Sequence, residues 1–93
     1  MSSTVLPPRR IAPCRTAERD VREAVRAAYP DDPALARSMT KAMVDHAAAF
    51  WNETVDVSPA GVAAVVERLR RYGGMDGWWV ADEIEARTHV RGV

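Results

Sequence analysis

The sequence predicts an all-α fold: about four short helices, in a compact bundle or irregular helical array, preceded by an extended N-terminal arm. Three observations lead there. Apolar residues recur three and four positions apart in four separate segments. Asp32-Pro33 and Ser58-Pro59 are strong helix-start pairs, and Gly73-Gly74 is a strong stop.

Residues 1–15 are expected to form the arm. Pro7, Pro8 and Pro13 remove backbone donors and disfavour helix at the residues before them. Arg9, Arg10 and Arg15 make the arm basic, so it either hangs loose or lies on a partner or second subunit. The helical domain then occupies residues 16–93.

The first helix is predicted over residues 17–29. Thr16 is its expected cap, and Val21, Ala24, Val25 and Ala28 form its apolar stripe. Glu18–Arg22 and Arg19–Glu23 are i,i+4 pairs on its solvent side. The second helix starts with Asp32 as cap and Pro33 at the first position, and is predicted to run to about Thr54. Leu35, Met39, Met43, Ala47 and Phe50 share one face, widened by Ala36, Val44, Ala48 and Trp51. Val55-Asp56-Val57 reads as a linker.

The third helix follows with Ser58 as cap and Pro59 at the first position. Val62, Val65, Val66, Leu69 and Tyr72 make its buried stripe, and Arg68, Arg70 and Arg71 crowd its negative end. Glycine at 73 and 74 ends it, because glycine adopts the left-handed conformation without a Cβ clash. The fourth helix is predicted from Asp76 to about Thr88, with Trp79, Val80 and Ile84 inward and Asp82, Glu83, Glu85 and Arg87 outward. His89 to Val93 is too short to assign.

With 93 residues the chain holds one domain, whose stability should be marginal, on the order of 5 kcal/mol. The apolar fraction of 47% is ordinary, but it is mostly alanine and valine, which bury little area each. A core so poor in large side chains leaves little room for an enclosed substrate cavity. Formal net charge is zero, so no whole-molecule field draws the chain to nucleic acid or an anionic membrane. Arginine outnumbers lysine twelve to one, which with the alanine excess implies a GC-rich genome, that of an actinobacterium or one of its phages. One cysteine, Cys14, excludes an intramolecular disulfide, and no signal peptide or transmembrane run is recognisable. A cytoplasmic protein is expected.

The residues offer little to catalysis. Cys14, His46 and His89 lack the local spacing of a zinc site. Cys14 lies in the arm, where a nucleophile cannot be held in place, and Ser58 and Ser38 read as a cap and a helix-surface residue. The glycines at 73, 74 and 77 follow no strand and precede no P-loop lysine. Neither metal, cofactor nor small-molecule substrate is expected, and the protein reads as a non-enzyme.

What remains is the pair Trp78-Trp79. Adjacent helical residues point about 100° apart, so one narrow stripe cannot easily take both. Either one indole serves the core and Trp78 is left exposed, or both plug a core otherwise made of small side chains. An exposed indole beside Arg68, Arg70 and Arg71 would suit a protein-docking patch, since tryptophan and arginine are enriched at interface hot spots. The expected function is therefore a small interaction module, a regulator, inhibitor or phage-encoded effector, bound to a larger protein or paired with itself. The alternative is a DNA-binding regulator whose third and fourth helices form a helix-turn-helix-like pair, docked by the basic arm; acids on the fourth helix oppose it.

Overall fold

A computed structural model describes residues 10–92, with side-chain surroundings for residues 10–88. Four helices carry the fold: α1 (Glu18–Ala28), α2 (Pro33–Asp45), α3 (Val62–Tyr72) and α4 (Gly74–Gly92). Helix α1 packs on α2, α2 on α4 and α4 on α3, so the last helix is inserted between the second and the third. The all-α class predicted from the sequence is the one observed.

The predicted starts are only partly the observed ones. Asp32 caps α2, its carboxylate accepting from the Leu35 N–H at 3.1 Å, with Pro33 at the first position. Thr16 does not cap α1; its hydroxyl donates to the Ala12 carbonyl at 2.8 Å, and Ala17 takes the cap position. Ser58 does not cap α3 either. Its N–H and hydroxyl both donate to Asp56 Oδ1, and a 3-10 turn, Pro59–Gly61, comes before α3.

The largest departure is in α2. It ends at Asp45, nine residues short of Thr54, and a 3-10 turn, Ala47–Phe50, follows. Alanine propensity favours continuing the helix, but the break turns Phe50 into the core, where it is 1% exposed. The carbonyls released by the break find side-chain donors: Cys14 Sγ on Ala47 O at 2.9 Å, and Arg68 Nε on Ala49 O at 3.1 Å. Trp51, expected to widen the apolar face, is carried out to solvent. His46 is half-buried at the end of α2.

Val55-Asp56, read as linker, pairs antiparallel with Arg10-Ile11: β1 (Arg10–Ile11) and β2 (Val55–Asp56), in the register Arg10↔Asp56 and Ile11↔Val55. Ile11 and Pro13 are buried. The part of the predicted arm from Arg10 to Arg15 thus lies on its own domain; Pro7, Pro8 and Arg9 fall outside the described residues.

One core joins these elements, with Met39, Met43, Phe50, Val65, Leu69 and Ile84 among its fully buried side chains. Ser38, expected on the helix surface, is also buried. Its hydroxyl reaches Glu83, and Arg87 Nε donates to it at 3.1 Å, so a polar link ties α2 to α4. Helix α4 runs well past Thr88, the predicted end, to Gly92. Among the described residues no helix is long and apolar enough to cross a membrane.

A candidate docking face at the α3–α4 corner

The chain reverses between α3 and α4 at Gly73-Gly74. The Gly73 N–H closes α3 on Leu69 O at 2.8 Å, and Gly74 takes a φ of +69°, the left-handed conformation the stop signal implies. The two helices then run so close that a Cβ on Gly77 would stand 2.8 Å from the Leu69 carbonyl oxygen. The buried face of α4 is correspondingly small: Gly77, Val80, Ala81 and Ile84.

No indole fits on that face. Trp78 is 48% exposed and Trp79 67%, so Trp79 does not join the core as its place beside Val80 suggested. Trp78, turned about 100° from Gly77, faces the α3 flank; Trp79, about 200° away, faces outward. Met75, 71% exposed, sits three and four positions before them on the same surface. Sequence reasoning missed Met75, although its i,i+3 and i,i+4 spacing to the two indoles was readable. Together the three expose on the order of 400 Å², the size of the largest apolar patch on a typical monomer, which is often functional. Tyr72, assigned to the buried stripe of α3, is likewise exposed.

The three arginines separate. Arg70 crosses to α4 and lies 4.9 Å over the Trp78 ring. Its Nη2 donates to Asp82 at 2.6 Å and to Glu85 at 2.5 Å, two of the acids expected on a solvated face. Trp78, Asp82 and Glu85 stand at i, i+4 and i+7, one stripe of α4 that a single guanidinium spans. Hydrogen bonds to Glu85 first and Asp82 second hold Arg70 more firmly protonated than usual. Its Nε is buried without a hydrogen-bond partner.

Arg68 leaves from the opposite flank of α3. Besides Ala49 O it reaches Asn52 and Glu53, and it lies 4.7 Å over the Tyr72 ring. It therefore braces the 3-10 turn and stands apart from the tryptophans. Arg71 is exposed, with no ion pair or hydrogen bond among the described residues. Of the five residues singled out from the sequence, Trp78, Trp79, Arg70 and Arg71 fall at this corner and Arg68 does not.

The described residues hold no group of three or more histidine, cysteine or acidic side chains placed to share a metal ion. Comparison with known family models, with curated proteins and with solved structures finds no match.

Proposed function

We propose that this chain is a small, non-enzymatic, cytoplasmic interaction module that docks the Met75–Trp78–Trp79 face of α4 on a larger protein. The observation that carries the reading is the exposure of three large apolar side chains on adjacent helical positions. A standard interface covers about 800 Å² on each partner, so this patch supplies the apolar centre and exposed polar neighbours on α4 such as Asp76 part of the rim. Trp79 is the expected anchor, since Trp78 is already engaged by Arg70.

The DNA-binding alternative gains no support at this corner. Arg68 and Arg70 are committed to internal partners, and α4 offers acids beside its indoles.

The test is affinity capture from host extract with wild type and with Met75→Ser/Trp79→Ser, accompanied by circular dichroism and sedimentation. Capture of a defined protein by wild type, lost in the folded double variant, supports the reading. Equal capture by both sinks it. A mass that falls on dilution for wild type alone would replace the larger partner by a second copy of this chain.

A further inference from the structure

The α1–α2 hairpin carries a feature unrelated to the α4 face. A groove of about 500 Å³ runs between the two helices, edged by Arg22 and Arg26 from α1 and by Arg37 and Lys41 from α2. Asp45 is the one carboxylate in its lining, so four cations face a single anion in a chain whose net charge is zero. Arg22 is paired with Glu18 at 2.7 Å. Arg26, Arg37 and Lys41 have no ion pair or hydrogen bond among the described residues. Like charges lining one groove repel one another, and an anion between them relieves the repulsion.

Spacing decides the class of anion. Arg22 to Arg26 and Arg37 to Lys41 are each four positions, about 6 Å along a helix. The four cations therefore occupy two short rows, each one helical turn long. A ligand that matches them must carry several negative charges within one turn's length. An extended acidic peptide places same-side carboxylates about 7 Å apart, one charge per turn's length on the side facing the groove. A phosphate chain concentrates its charge within the span, and each arginine fork suits a phosphate's oxygens. Between the rims lie Ala36, Thr40 and Val44, small or short side chains, with Tyr29, Pro30 and Pro33 also in the lining.

We propose that the α1–α2 groove binds a short oligophosphate, the class represented by the phosphate chain of a nucleotide. Arg26, Arg37 and Lys41 are its principal contacts, and Arg22 joins by exchanging Glu18 for the ligand. The site departs from the expectation of no small-molecule ligand. It does not depend on the α4 face, so each proposal stands or falls alone.

Calorimetric titration of the full chain with inorganic tripolyphosphate at low salt tests it. Saturable binding near one ligand per chain is expected, weakened about tenfold or more by Arg37→Ala/Lys41→Ala and restored largely by Arg37→Lys/Lys41→Arg. Both positions are exposed, so the variants should keep the helical signal of wild type. Arg71→Ala, on the other face, should leave the affinity unchanged. Absence of saturable heat up to millimolar ligand overturns the proposal, as does equal weakening by Arg71→Ala. Tighter binding of an oligoglutamate peptide than of tripolyphosphate overturns it in favour of an acidic protein segment.

Discussion

Arg70 lies 4.9 Å over the ring of Trp78 while the same guanidinium binds Asp82 and Glu85. The contact ties α3 to α4 and draws Trp78 down against the surface, leaving Trp79 the freer indole. Both carboxylates converge on this one guanidinium, so the arrangement depends on that cation. Replacing Arg70 by methionine keeps much of the stem's packing and removes the charge. In a Trp51→Phe/Trp79→Phe background, Arg70→Met should shift Trp78 emission to the red, increase its quenching by acrylamide and lower the melting temperature. Unchanged quenching would mean that the arginine does not hold the ring.

Ser38 links α2 to α4 through its hydroxyl. It is 1% exposed, and its hydroxyl stands between Glu83 and Arg87. Ser38→Ala leaves both half-exposed partners able to turn to water, so the cost is one lost charge-assisted link. About 1–2 kcal/mol is expected, read as a lower urea midpoint with unchanged slope. A loss under half a kcal/mol would show that Glu83 and Arg87 pair as well without the serine.

At Gly77 two effects oppose. Alanine favours a helix over glycine by about 1 kcal/mol. The added Cβ, however, meets the Leu69 carbonyl oxygen at 2.8 Å, a backbone atom that yields only if α4 moves off α3. Overpacking of that kind costs about 1–3 kcal/mol, so Gly77→Ala should destabilise on balance. Thermal melts of wild type and variant decide it, and a higher melting temperature would show that the helices part without cost.

Legibility followed the range of the forces involved. The Asp32-Pro33 start and the Gly73-Gly74 stop rest on local backbone chemistry, and both were readable from adjacent residues. The end of α2 was not. Nothing within Ala47–Ala49 opposes helix; the break answers to Phe50's place in the core and to donors from Cys14 and Arg68, far away in sequence. The indoles were misjudged for a related reason. A core short of large side chains suggested a vacancy for at least one, whereas the close approach at Gly77 removes the space. Arg70 could be placed near Trp78 across a short turn, but the flank chosen by Arg68 required the position of the 3-10 turn.

Tyr29 supplies a prediction in pH. It is 6% exposed at the end of α1, and its hydroxyl is buried without a hydrogen-bond partner. Burial first, then the charges of Asp56 and Asp32, push its pKa from 10.0 up to about 12. The unfolded chain thus releases this proton at lower pH than the folded one. The stabilisation is full below pH 10 and is lost between 10 and about 12, at up to about 1.4 kcal/mol per pH unit. Tyr29→Phe removes both the titrating group and an unsatisfied oxygen. The variant should be more stable than wild type by about 1 kcal/mol at pH near 8, and the advantage should widen as pH rises through 11. Urea midpoints across that range give the comparison. Parallel curves for the two proteins would assign the alkaline loss to other groups, and a less stable variant at pH 8 would show that the hydroxyl has a partner in solution.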